Sequence, residues 1–206
     1  MMVFVKRYPN GTEISQLVSR LRQLHIAITF IASSTPSGGY HPETLYSLAT
    51  NTNGFCAFNQ DNLSNLSIEE LIDTVVNPYL VYAANPTVSG SQTVLLPQMV
   101  INKTRNYMVS LTIQDYGPVD VVNTVMLQWK DNVYKTGGEL GLRNGSAPET
   151  FSWWYGSNIG YWEPFDNIVY NMSVICDYKD TKTRRLQIRL YSEDAFDIYR
   201  WMPFDD

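Results

Sequence analysis

Residues 3–31 read VFVKRYPNGTEISQLVSRLRQLHIAITFI, and this stretch decides the fold class. Val3-Phe4-Val5 is a short apolar run closed by Lys6 and Arg7 and by the turn residues Pro9-Asn10-Gly11, as a buried strand is. Ile14, Leu17, Val18, Leu21 and Leu24 then recur at helical spacing, with Arg20, Arg22 and Gln23 off that face and Thr12 as the expected N-cap. Residues 26–31 follow at once, β-rich and apolar on both faces in the manner of a parallel strand. A strand, helix, strand unit of this kind belongs to an α/β layer.

Outward from this unit the pattern repeats. Residues 33–39 form a Ser/Thr/Gly loop, Pro42 suits a first helical turn, and Leu45, Leu48 and Ala49 give a short apolar face. Asn53-Gly54 stops that helix, and residues 55–58 supply a third strand. Ser67 and Glu70 make a capping box for a further helix running through Leu71, Ile72, Val75 and Val76 to Pro78. Beyond Val81 the period turns from helical to alternating, with strands expected over 107–113, 125–129, 151–155, 168–176 and 186–191. Tyr116-Gly117-Pro118, Gly137-Gly138 and Asn144-Gly145-Ser146 read as the turns between them. The expectation is α/β plus all-β: a three-strand parallel sheet with helices over residues 1–82, then an antiparallel β-sandwich over 86–206. Ala83-Ala84-Asn85-Pro86 is the expected boundary, short enough for the two parts to touch.

Composition sets the limits on function. Of 206 residues, 44% are hydrophobic and 17% charged, enough apolar side chain for a core and too little charge for a disordered chain. The net charge is −5, and neither part carries the basic surface that nucleic acid requires. The longest apolar run, over 26–32, falls far short of the roughly 18 residues of a membrane span. No signal-peptide pattern opens the sequence. Six Asn-x-Ser/Thr triplets nevertheless occur, at Asn10, Asn62, Asn65, Asn102, Asn144 and Asn171. They favour a secreted protein of which this chain is one part. Cys56 and Cys176 fall in separate expected domains and read as buried thiols rather than a disulfide framework.

Pro9-Asn10-Gly11-Thr12, the segment from Ile28 through Thr35-Pro36-Ser37-Gly38-Gly39, His41-Pro42-Glu43-Thr44-Leu45-Tyr46 and Thr52-Asn53-Gly54-Phe55-Cys56-Ala57-Phe58 resemble an uncharacterised family of nematode extracellular proteins. That family joins a von Willebrand factor A-like domain to a β-sandwich. The resemblance extends to Val119 and Asp120 and to Leu186-Gln187-Ile188-Arg189. It implies that the first segment is a partial A-like domain, the last three strands of six, with the edge of Val3-Phe4-Val5 open to another copy or another chain. A-like domains hold a divalent cation through Asp-x-Ser-x-Ser and later Thr and Asp ligands. No such motif occurs here, and Lys6 and Arg7 stand where the loop of the first strand would offer an Asp, so no metal or cofactor is expected.

The loop 33–39 leaves the C-terminal end of a parallel strand, where α/β sheets bind ligands, but it matches no phosphate fingerprint and carries no Lys. A structural role is the stronger reading. His25 and His41 have no partners at catalytic spacing and read as helix-terminal residues. Trp153, Trp154, Tyr155, Tyr161 and Trp162 form the richest aromatic cluster, either core or a platform for sugar rings. The leading expectation is a non-enzymatic extracellular binding or adhesion-type module for a protein or glycan ligand. The alternative is carbohydrate recognition through the aromatic cluster.

Overall fold

The computed structural model describes residues 1–59, 61, 79–114, 121–134, 136–143, 158–194 and 202–204. Met2–Val5 (β1), Thr29–Ser33 (β2) and Phe55–Asn59 (β3) form a parallel sheet in that order, linked by Ser15–Gln23 (α1) and Pro42–Asn51 (α2). Leu21 of α1 and Leu45, Leu48 and Ala49 of α2 pack with Phe30, Ala32, Cys56 and Phe58 on one face of this sheet. Ile31, Phe55 and Ala57 are buried on the other face. Burial on both faces is why β2 and β3 carry no polar alternation. At the β1 end of the sheet, Phe4 stands 57% exposed.

Both ends of α1 differ from the sequence expectation. Ile14, not Thr12, takes the N-cap position, and the Glu13 carboxylate accepts the Ser15 N–H at 2.8 Å, so an acid satisfies the helix start. After the last turn His25 adopts a left-handed φ of 52°, and the Ile26 N–H bonds back to the Leu21 carbonyl at 2.9 Å. That reversal consumes Ile26, Ala27 and Ile28, so β2 begins at Thr29. Leu17 and Leu24, expected on the core face, are about half exposed, and Leu21 is the buried residue of the helix.

The rest of the described chain is antiparallel. It comprises Tyr79–Ala84 (β4), Thr87–Val88 (β5), Ser91–Val100 (β6), Arg105–Ile113 (β7), Val122–Asp131 (β8), Gly137–Arg143 (β9), Asn158–Phe165 (β10), Val169–Tyr178 (β11) and Arg184–Ser192 (β12). One sheet runs β10-β7-β12-β4 with β5 also on β12, the other β6-β11-β8-β9. Their inner faces share one core, including Val109, Leu111, Leu127, Trp129, Val174 and Ile188. This is a β-sandwich. Its hydrogen bonding begins at Tyr79, ahead of residues 83–86, because β4 pairs along β12.

Gly137-Gly138 is strand rather than turn. A β-carbon on Gly138 would come within 2.5 Å of the Trp129 indole, so glycine there makes room for the largest ring of the core. The turn lies just before it, where buried Asp131 accepts the N–H groups of Val133 (2.8 Å) and Tyr134 and the hydroxyl of Thr136. The helix expected from Ser67, the strand over 151–155 and the turns at 116–118 and 144–146 lie outside the described residues.

The two parts meet through buried polar groups. Gln187 on β12 accepts the Cys56 N–H (2.8 Å) and the Thr112 hydroxyl (2.9 Å), and donates to the Tyr46 carbonyl (3.2 Å) and Thr50 Oγ1 (2.8 Å). It thereby blocks the outer edge of β3. The Tyr46 hydroxyl lies 3.0 Å from Thr112 Oγ1 and 3.1 Å from the Arg185 carbonyl. These contacts seat α2 and β3 on the outer face of the β10-β7-β12-β4 sheet. Cys56 and Cys176 are buried and unbridged, in different clusters, and burial pushes the Cys176 thiol up to about 12 and raises that of Cys56 as well.

Candidate functional site

Three places bear on ligand binding. The first is the C-terminal end of the parallel sheet. Lys6 leaves β1, Ser33 ends β2, Thr35 follows it, and Asp61 lies just beyond β3. The Lys6 ammonium donates to Ser33 Oγ (3.1 Å) and the Thr35 carbonyl (2.7 Å) and pairs with the Asp61 carboxylate. Ser33 Oγ donates to the other Asp61 oxygen at 2.6 Å. Hydrogen bonds from Lys6 and then Ser33 hold the Asp61 carboxyl below its ordinary value.

The oxygens at this sheet end therefore surround the chain's own ammonium, and the carboxylate repels an anion that would approach the loop 33–39. The group that accepts from the Ser33 hydroxyl is the Asp61 carboxylate, which Lys6 holds in its ionised form and so makes a weak base for activating that hydroxyl. Asp61 escaped sequence reasoning because its partner Lys6 is 55 residues away. A depressed folded-state carboxyl means that this pair favours the fold above the unfolded aspartate pKa and that the contribution is lost as pH falls through the lowered value. In an NMR titration the Asp61 midpoint falls below that of an ordinary aspartate, and Lys6→Met moves it up. A midpoint unmoved by that substitution would remove the ion pair from this account.

The second place is the aromatic cluster. Tyr161 and Trp162 are neighbours on β10 and so point to opposite faces. Tyr161 packs against the sandwich core, with its hydroxyl 3.3 Å from the Glu139 carbonyl; burial and then Glu163 raise its phenol. Burial also raises the Glu163 carboxyl. Trp162 is half-buried on the face shared with Met108, its register partner on β7. One flat platform from these two rings is thereby excluded. Trp153, Trp154 and Tyr155 lie outside the described residues.

The third place was not anticipated. The outer face of the β6-β11-β8-β9 sheet alternates polar and apolar side chains, and at one end it carries a depression of about 440 Å³ lined by Ser91, Thr93, Thr124, Met126, Ile175 and Asp177. Asn123 Nδ2 donates to Asp177 Oδ2 at 3.0 Å and fixes that carboxylate. At the other end, Gln98 Nε2 donates to Asn171 Oδ1 (2.8 Å) and Asn171 Nδ2 to Asn132 Oδ1 (2.7 Å). Buried Met126 forms the floor beside half-buried Ile175, with hydroxyls and a carboxylate at the rim, so this surface accepts a ligand with one apolar face and several hydroxyl or amide groups.

A family profile described as Domain of unknown function (DUF7154) matches residues 84–193, more than half of the chain. The chain belongs to the DUF7154 family. The matched stretch runs from the last residue of β4 to just past β12, so the DUF7154 unit takes in the sandwich from β5 to β12 and includes the third site. No curated protein matches the chain. Solved structures similar to it include a carbohydrate-binding module from Cellvibrio mixtus lichenase 5A in complex with cellotriose, at 8% identity and TM-score 0.31, covering 58% of this chain and 93% of that one. A Clostridium thermocellum endo-1,4-beta-D-xylanase module pair complexed with xylohexaose is similar at 7% identity and TM-score 0.32, covering 60% and 30%. A Yersinia pseudotuberculosis-derived mitogen is similar at 10% identity and TM-score 0.30, covering 59% and 96%.

Among the described residues, no group of three or more His, Cys, Asp or Glu is arranged to hold a metal, and no helix is long and apolar enough to cross a membrane. His41 Nδ1 lies 2.7 Å from the Glu43 carboxylate at the start of α2, and His25 occupies the reversal after α1. Of the six glycosylation triplets, Asn10, Asn102 and Asn171 are exposed, while Asn62, Asn65 and Asn144 lie outside the described residues.

Proposed function

We propose that the chain is a non-enzymatic, extracellular, adhesion-type binding module whose ligand face is the outer face of the β6-β11-β8-β9 sheet. One observation carries the reading. The outer face of the other sheet is occupied by α2 and β3, whereas this one turns side chains to solvent and holds the depression around Asp177. The exposed triplets at Asn10, Asn102 and Asn171 support the extracellular part.

Carbohydrate recognition through the aromatic cluster is the second reading, favoured by the partly exposed indole of Trp162. A glycan array and a panel of matrix proteins, both probed with the full chain, separate the two. Losing one hydrogen bond to a carboxylate costs about 1.5–3 kcal/mol, so Asp177→Ala weakens binding about tenfold or more while Trp162→Ala leaves it unchanged. The reverse ranking favours the aromatic cluster. Turnover of any substrate in a glycoside and ester panel overturns both.

A further inference from the structure

We propose that Asn171 carries an N-linked glycan and that the first sugar of this glycan covers the apolar end of the sheet face; the inference rests on the extracellular reading above. Asn171-Met172-Ser173 is a glycosylation triplet set in the middle of β11, the strand between β6 and β8. Asn171 is exposed, and its side chain is held rather than loose. Its Oδ1 accepts from Gln98 and its Nδ2 donates to Asn132, which fixes the plane of the amide. A primary amide has two N–H groups. One is spent on Asn132, and the second is the one that glycosylation replaces. Replacing that second hydrogen leaves the acceptor Oδ1 and one N–H, which is the number of groups the two observed hydrogen bonds use.

The bond forms between Asn171 Nδ2 and the anomeric carbon of an oligosaccharide carried on a polyprenyl diphosphate, the donor of the secretory pathway. The sugar-to-phosphate C–O bond breaks, the diphosphate leaves with its electron pair, and the amide nitrogen loses one proton. No oxidation state changes.

The neighbourhood supplies the reason for a cover. Val169, two residues before Asn171 and on the same face, pairs in register with Val100, and they stand 38% and 55% exposed. Val133 and Tyr134 follow Asn132 in the turn anchored by Asp131 and are 65% and 68% exposed. Val100, Val169, Val133 and Tyr134 thus lie around Asn171 and its partner Asn132, and the outward positions of β11 farther along are Ser173, Ile175 and Asp177, with exposed Leu95 beside Ser173 on β6. A pyranose ring has one face of C–H groups, which suits Val100 and Val169, and hydroxyls at its rim, which suit Asn132 and water. Ile175, at the depression, is four residues from Asn171, about 13 Å along a strand. The glycan therefore covers one end of the face and leaves the depression open, which confines ligands to the Asp177 end.

The test is secretion of the full chain, behind a signal peptide, from a eukaryotic host, followed by peptide mapping. The expected result is a glycan on the peptide containing Asn171, retained in Ser173→Thr and lost in Ser173→Ala, which keeps the asparagine and its hydrogen bonds. The secreted Ser173→Ala protein then binds more of a dye selective for apolar surface, and adding Val100→Ser and Val169→Ser cancels the increase. A secreted protein glycosylated at Asn10 or Asn102 but bare at Asn171 overturns the inference and leaves the extracellular reading standing. Equal dye binding with and without the glycan overturns the covering role. Location of the native protein inside cells overturns the extracellular reading itself.

Discussion

Arg189→Ala lowers the melting temperature by about 10 °C, one of two large effects expected for single substitutions at fully buried side chains. Arg189 lies on β12 and is 0% exposed. Its Nε donates to the Asn53 (3.1 Å) and Gly54 (2.9 Å) carbonyls, Nη1 to those of Ala84 (3.2 Å) and Ile188 (2.9 Å), and Nη2 to Asn85 Oδ1 (2.8 Å). Asn53 and Gly54 follow the C-terminus of α2, where the helix dipole is negative, so a guanidinium is favoured there by charge as well as by geometry. Alanine removes five hydrogen bonds to buried acceptors of both parts of the molecule and leaves a cavity, at a cost of about 3–5 kcal/mol. Arg189→Lys recovers little, because one ammonium cannot fork to acceptors on three segments. Arg189→Met separates burial from bonding: it fills the space but satisfies no carbonyl, and calorimetry of that variant should resemble alanine. A wild-type melting temperature for Arg189→Met would mean that the carbonyl cage contributes nothing.

The same residue explains what was legible in the sequence. Apolar periodicity located α1, α2 and the three parallel strands because burial on one helical face or on both sheet faces leaves a regular trace. It also located β7, β8, β11 and β12, the inner strands of the sandwich. Strands β4 and β5 escaped because they straddle the expected boundary, and β6, β9 and β10 because Pro97, the Gly137-Gly138 pair and Pro164 resemble turn residues, which strands at sheet margins tolerate. Gln187 and Arg189 alternate with Leu186, Ile188 and Leu190, a pattern that reads as one dry face and one wet face. Here both faces are dry, because α2 and β3 bring polar groups that match. Period alone does not distinguish water from a polar neighbour. The sheet face around Asp177 was illegible for a related reason: its Ser, Thr and Asn side chains come from three strands and form no local motif.

Phe165→Ala is the second large effect, a loss of about 3–5 kcal/mol. Phe165 ends β10, is 1% exposed, and is the hub of the aromatic core. Its ring meets Tyr170 edge-on at 5.1 Å and 88°, Trp129 at 5.4 Å and Tyr107 at 6.1 Å. Beyond the buried area, such ring pairs add about 0.5–1.5 kcal/mol each. Phe165→Leu keeps most of the volume and none of the ring contacts, so its loss should fall clearly between wild type and alanine; denaturant unfolding of the three proteins measures both terms. The experiment also decides how the aromatic content of this chain is to be read. Phe165 and Tyr161 share the inward face of β10, and the rings around them hold the two sheets together rather than await a sugar. A cost under about 1 kcal/mol for Phe165→Ala would deny that role.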